Sequence, residues 1–175
     1  AHITINKDVT VDLNGQTITM GNYSFKIQGT QENPITVTIK DSGDNGKLTG
    51  TNYIIDMNGG GADTVKFESG TLEGTGYRNA VARIQNGDYF IMSGGTARQT
   101  HSNATWVLYV MGSGKAEVIE GRIEGSYGIK ASASASTVIV GAKPAGSKQT
   151  TEEASKVYVS SINSSKEDAA ILLYK

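Results

Sequence analysis

Two glutamates and an arginine are the residues in this chain best placed by type to do chemistry. Glycoside hydrolysis needs two carboxylates flanking a cleft, one of them held protonated as an acid. Glu73 and Glu124 are candidates for such a pair, with Arg98 between them. The arrangement favours a salt ladder on a solvated face, because a neighbouring guanidinium lowers a carboxyl pKa whereas a general acid needs it raised. The segment Asp41-Ser42-Gly43-Asp44-Asn45-Gly46 carries oxygen ligands of the kind calcium takes. It does not follow the EF-hand order, and the same residue types are ordinary turn formers. His2 and His101 lack acidic or cysteine companions nearby in sequence, so neither a zinc site nor a His-activated nucleophile is expected. Gly59-Gly60-Gly61 follows a strand but precedes no helix, which excludes a phosphate-cradling loop. No catalytic residue, metal or cofactor is assigned on this basis, and the chain reads as a non-enzyme.

What would position any of these groups is a repeat. Among 175 residues there are 22 Gly and only 2 Pro, a composition that goes with short strands joined by tight turns. One phrase pairs two apolar residues at period two and then reaches a glycine. Its copies include Val11-Asp12-Leu13-Asn14-Gly15, Val65-Lys66-Phe67-Glu68-Ser69-Gly70 and Phe90-Ile91-Met92-Ser93-Gly94-Gly95. Gly15, Gly46, Gly70, Gly95 and Gly121 stand 31, 24, 25 and 26 residues apart, the first interval carrying an insertion at 41–45. A second phrase, aromatic-x-apolar-x-apolar, lies between copies of the first. It runs Tyr23-x-Phe25-x-Ile27, Tyr53-x-Ile55-x-Met57, Trp106-x-Leu108-x-Val110 and Tyr127-x-Ile129-x-Ala131, with Ala80-x-Ala82-x-Ile84 as its plain copy. A third strand follows each glycine and carries one apolar residue: Ile18, Leu48, Leu72, Ala97, Ile123.

A repeat of roughly 24 residues with three strands per turn predicts an all-β chain, a single-stranded right-handed parallel β-helix of six to seven coils. Coils stack ~4.8 Å apart, so equivalent residues form columns. One inward column is expected to read Leu13, Ile39, Phe67, Met92, Val118, Val140, Val159. Strict alternation also sends Tyr23, Tyr53, Trp106 and Tyr127 inward, as a core ladder rather than a sugar platform. The same parity places Ile54, Val81 and Val107 outward as an apolar stripe, with Asp56, Arg83 and Tyr109 beside it. An exposed apolar patch edged by Tyr and Arg has the make-up of a binding face, and these six residues are the candidate ligand-binding or partner-binding site. Thr10, Thr36, Thr64 and Thr137 are expected to share an outward column, broken by Tyr89, Lys115 and Lys156, which is too irregular for ice binding. Glu73 and Glu124 fall two coils apart, roughly 9.6 Å. Only 150–155 departs from strand periodicity, as one turn of helix or a protruding loop, and Ile171 and Leu173 are expected back on the first sheet.

The phrases Asp8-Val9-Thr10-Val11-Asp12-Leu13-Asn14-Gly15-Gln16-Thr17-Ile18, Met92-Ser93-Gly94-Gly95-Thr96 and Tyr127-Gly128-Ile129 resemble the β-helix coils of large adhesin-like surface proteins of gut Firmicutes. The resemblance covers residues 3 to 145. It implies an extracellular, cell-wall-attached parent whose β-helix region binds or spaces. Gly128-Ile129-Lys130 is faintly similar to the basic stretch of polygalacturonases, but the paired aspartates and histidine motif of that family are missing, as is the pattern of the calcium-dependent pectate lyases.

Partners follow from charge and from the resemblance. Net charge is −1, from 16 basic and 17 acidic residues without a basic run, which argues against a nucleic-acid partner. No apolar stretch approaches the ~20 residues of a spanning helix, so membrane insertion is not expected. With no Cys there are no disulfides and no thiolate chemistry. The whole of 1–175 is expected to be one β-helix domain, a fragment of a larger surface protein with further domains. Its expected role is a non-catalytic module presenting a flat sheet face to a host glycan or protein on a mucosal surface. The alternatives are a carbohydrate-active β-helix enzyme, pectate lyase-like or glycosidase-like, and a purely structural stalk.

Overall fold

A computed structural model describes residues 1–103 and 106–141 fully, and the backbone of Val157–Ser161 and Ile171–Leu173. The first three turns supply β1 (Ile3–Ile5), β2 (Val9–Asp12), β3 (Thr17–Thr19), β4 (Phe25–Ile27), β5 (Thr36–Lys40), β6 (Lys47–Gly50), β7 (Ile55–Met57), β8 (Thr64–Phe67) and β9 (Thr71–Gly74). Then come β10 (Ala82–Ile84), β11 (Tyr89–Gln99), β12 (Trp106–Val110), β13 (Lys115–Gly125), β14 (Tyr127–Ala131), β15 (Thr137–Val140), β16 (Val157–Ser161) and β17 (Ile171–Leu173). Every pairing is parallel and joins one turn to the next. The chain is therefore an all-β solenoid of about five turns, slightly fewer than the six or seven expected. The segment 150–155, expected as a helical turn or a protruding loop, and Lys156 lie outside the described residues.

Three faces enclose the core. The aromatic phrase forms a seven-stranded sheet in the order β1-β4-β7-β10-β12-β14-β17. The other two faces share strands, because β11 and β13 run through the corner between them. The β11–β13 register shifts at Met92/Ser93 and again between Ser93 and Thr96, which is where the strands bend from one face to the other.

Glycine makes that corner. Gly70, Gly95 and Gly121 have φ of +89°, +73° and +116°, in the region that side chains with a Cβ rarely adopt. A Cβ on Gly95 would lie 2.7 Å from both the Gly70 carbonyl oxygen and the Phe67 ring, so the turn below also closes the space. The ~24-residue spacing of the glycines is thus a stacking requirement, repeated once per turn.

Like stacks on like inside. Phe25, Ile55, Ala82, Leu108 and Ile129 share one register column, and Ile27, Met57, Ile84, Val110 and Ala131 the next. The third-strand column Leu48, Leu72, Ala97, Ile123 is as expected, with Ile18 at its open end. These residues, Ile18 apart, are buried. Each Ile, Leu, Val, Met or Phe among them contributes about 1.5–3 kcal/mol relative to exposure.

Several assignments shift. In the first column the register partner of Ile39 is Val11, two residues before Leu13; Leu13 lies past the end of β2 and is buried at the corner instead. Val159 pairs with Ile123 on the third-strand face and not with Val140. Ile171 and Leu173 pair with Ile129 and Ala131, on the aromatic sheet. Thr10 stacks on Thr38, so the outward column read as threonine begins at Asp8 and runs Thr36, Thr64, Tyr89, Lys115, Thr137.

Gly95→Ala is expected to lower unfolding stability by about 1–3 kcal/mol from strained backbone alone, with more from the contact against Phe67. A shift of the urea midpoint tests this. An unchanged midpoint would show that the corner relaxes freely.

Candidate functional site

The largest departure from strict alternation falls on the proposed site. Ile54, Val81 and Val107 are each 0% exposed and belong to the core, so the expected apolar surface stripe does not exist. The reason is a break in parity at the corner before the aromatic sheet. The N–H groups of Ile54 and Ile55 both donate to the carbonyl of Val81, at 2.9 and 3.1 Å. Two successive amides on one acceptor mean that the chain is turning there, and neighbours Ile54 and Ile55 both point inward. Val81-Ala82 and Val107-Leu108 repeat the double inward step. Ser24 of the same column is also buried.

The aromatic residues take the opposite side of that break. Tyr23 is 43% exposed, and Tyr53, Trp106 and Tyr127 are half-buried on the outer face, not core residues as expected. Only Ala80, the plain copy, is buried. The second column keeps its register, Lys26, Asp56, Arg83, Tyr109 and Lys130 standing across five successive strands, but Asp56 is buried, at 7% exposure. Of the six candidate residues, the structure keeps Asp56, Arg83 and Tyr109 on one face and removes the three aliphatic ones to the core.

These side chains form one connected surface. Arg83 grips Asp56 with two parallel bonds, Nε to Oδ1 at 2.8 Å and Nη2 to Oδ2 at 2.9 Å, a fork that fixes its plane. The Arg83 guanidinium also lies 4.6 Å from the Tyr53 ring centroid. Trp106 stacks on Tyr109 at 5.0 Å and on Tyr127 at 6.1 Å, with interplanar angles of 30° and 29°. The Lys130 ammonium sits 3.8 Å from the Trp106 centroid and 5.1 Å from that of Tyr109. Rings and cations therefore alternate along the outer face of β7, β10, β12 and β14.

The carboxylates tested for catalysis are both ion-paired, but not in one ladder through Arg98, which pairs with Glu73. Glu73 accepts from Lys47 Nζ at 3.1 Å and from Arg98 Nε at 2.6 Å. Burial alone would raise its pKa, but the two cations outweigh that and hold it below the usual 4.5. Glu124 pairs with Arg122 on its own strand, at 2.6 Å. In the 41–46 loop, Asp41 Oδ1 accepts the Gly15 amide at 2.7 Å and Oδ2 the Gly46 amide at 2.6 Å, so its carboxylate closes the turn. Among the described residues no group of three or more acidic or histidine side chains is placed to hold a metal ion.

Sequence reading missed a buried acidic pair. Asp63 and Asp88 occupy one column, each just before its strand, and both are fully buried. Asp63 accepts the amides of Gly29 at 2.8 Å and Ile35 at 2.9 Å; Asp88 Oδ1 accepts the amide of Asp63 at 2.9 Å. Asp88 Oδ2 has no partner among the described residues. Desolvation, reinforced by the nearby Asp63 and Asp56 charges, raises Asp88 from 3.8 to about 6 despite the amide bond. The recurring Asp before Thr64 and Tyr89 was the available signal.

A folded pKa above the unfolded one means that the native state binds a proton more tightly. The stabilisation from protonated Asp88 is full below 3.8 and lost as pH rises through about 6. The difference is about 3 kcal/mol at most. Glu73 and Asp12, both lowered, act the other way: their contribution is present above their ordinary 4.5 and 3.8 and lost on acidification below those values. Stability should therefore peak in the mildly acidic range. Asp88→Asn should flatten the fall between pH 4.5 and 7 in urea denaturation; an unchanged slope would mean that Asp88 is not its source. Compared with protein-family models, curated proteins and solved structures, the chain has no significant match.

Proposed function

We propose that this chain is a non-catalytic binding module that presents the outer face of its aromatic sheet to a glycan, as part of an adhesin-like protein on a bacterial cell surface. The observation that carries the reading is the stripe of Trp106, Tyr109 and Tyr127 with Lys130, continued by Tyr53 and the Arg83–Asp56 pair. Flat rings offer the apolar faces of pyranose rings a stacking surface, and the fixed charges beside them offer hydrogen bonds to hydroxyl groups. Rigid strands hold these groups in register, so little entropy is lost on binding. The surface location rests on the repeat phrases alone.

The ion-paired Glu73 supports the non-catalytic reading, since a carboxyl held ionised is a poor general acid. A purely structural stalk would have no use for half-exposed Trp and Tyr, which are enriched at binding surfaces.

A glycan array and a host-protein array probed with the wild-type chain and with Trp106→Ala test the reading. Glycan binding weakened roughly tenfold or more by Trp106→Ala is expected, the scale of an aromatic hot spot. Tyr77→Ala, which removes a ring 51% exposed and packed on Arg78 and His101, should leave binding intact. Binding only on the protein array, or binding indifferent to Trp106, would sink the glycan assignment. By contrast, Val81→Asp should cost several kcal/mol of stability by placing a charge in the core.

A further inference from the structure

Four Asn-Gly dipeptides stand in the chain, at 14–15, 45–46, 58–59 and 86–87. Each of these asparagines is exposed. Glycine has no Cβ, so Asn-Gly offers the least hindrance to a reaction of the backbone with its own side chain. The glycine amide nitrogen gives up its proton and attacks Cγ of the asparagine. A new N–C bond closes a succinimide ring, the Cγ–Nδ2 bond breaks, and Nδ2 takes up a proton and leaves as ammonia. Water then opens the ring to aspartate or isoaspartate. The step needs a glycine N–H that is free to ionise and a turn with room to bring the two groups together.

Those needs separate the four sites. Asp41 holds two of the glycine amides at once, Oδ1 accepting from Gly15 at 2.7 Å and Oδ2 from Gly46 at 2.6 Å. A carboxylate so close opposes ionisation, because the nitrogen would become an anion beside an anion. Gly59 and Gly87 are exposed, and neither amide has an acceptor among the described residues. Gly59 is nevertheless pressed onto the turn before. A Cβ built there would lie 2.9 Å from the Ile27 carbonyl oxygen and 3.1 Å from Gln28 Cα. At Gly87 the same atom would meet nothing nearer than the Ser113 hydroxyl, at 3.9 Å. A single bond closes the Asn86-Gly87 turn, from the Asp88 N–H to the Gln85 carbonyl at 3.1 Å. The Asn86 side chain is held only by a long bond, Nδ2 donating to Asn58 Oδ1 at 3.4 Å.

We propose that Asn86 is a site of self-modification, deamidating through a succinimide with Gly87, and that Asp41 protects Asn14 and Asn45 from the same reaction. Asn58 falls between them in rate. The product places a carboxylate, and as isoaspartate an extra backbone carbon, two residues from buried Asp88, whose Oδ1 holds the Asp63 amide. The modification therefore acts on the corner between β10 and β11. It is independent of the glycan reading, since the chemistry belongs to the turn alone.

Peptide mapping by mass spectrometry after incubation in mildly alkaline buffer reads each site separately. In urea the four asparagines should react at similar rates, because the fold no longer distinguishes them. In the folded chain Asn86 should keep most of its urea rate, while Asn14 and Asn45 should slow by roughly tenfold or more, since their amides react only when the loop opens. Asp41→Asn, checked for folding by circular dichroism, should speed Asn14 and Asn45 and leave Asn86 unchanged. The comparison of folded wild type with urea needs no variant and decides the assignment by itself. Asn86 slowed by the fold as much as Asn14 and Asn45 would overturn it. Asn14 and Asn45 reacting in the folded chain at their urea rates would overturn the protection by Asp41.

Discussion

The vertical hydrogen-bond ladder between successive turns is the interaction on which everything else rests. No turn of this solenoid can bury its own inner face, and each strand finds its backbone partners only in the turns above and below. The ladder fixes the spacing between turns at ~4.8 Å and forces equivalent positions into columns. A residue is therefore judged by what stands over and under it. Phe67 over Ile39, and Leu72 over Leu48, are favourable because apolar side chains meet their own kind at a fixed spacing. Gly95 stands over Gly70 because the corner leaves no room for a Cβ.

The same constraint makes polar residues structural when they fall on corners. Asp63 and Asp88 collect amides that point into the corner from the turn before, as Asp41 does in its loop. Thr51, Thr75 and Thr100 each donate their hydroxyl to a glycine carbonyl one turn back, at Gly21, Gly50 and Gly74. A stack of identical bonds rigidifies the edge between sheets. Asp88 is the exception within this scheme, a buried carboxylate with one oxygen unmatched, and it makes the fold sensitive to mild changes in pH.

The solenoid was legible because its signals are periodic. Glycines recurring about every 24 residues, and apolar pairs at period two, report the turn and the strand directly. Column membership on the aromatic sheet was legible too, down to Asp56, Arg83 and Tyr109 in one register. Direction was not. Alternation holds within a strand, but it does not pass through a corner, where Ile54 and Ile55 both turn inward on a single carbonyl. One misplaced step of parity exchanged the aromatic ladder with the Ile54–Val81–Val107 stripe. Likewise Leu13 lies past the end of β2, at the corner, and Val11 fills the column expected of it. In each case the missing information is the backbone path at a corner, which the alternating pattern does not encode.

With that step corrected, the surface proposed to bind a ligand is made of rings and charges rather than aliphatic groups. The chain has a single Trp, and it stands at the centre of this surface, so its fluorescence reports on the face without any label. The most direct measurement is Trp106 emission and its quenching by acrylamide during titration with glycans. The account predicts a saturable change in emission and protection from quenching by at least one glycan, with the same midpoint as binding measured calorimetrically. Calorimetric binding that leaves Trp106 emission and quenching unaltered would contradict it.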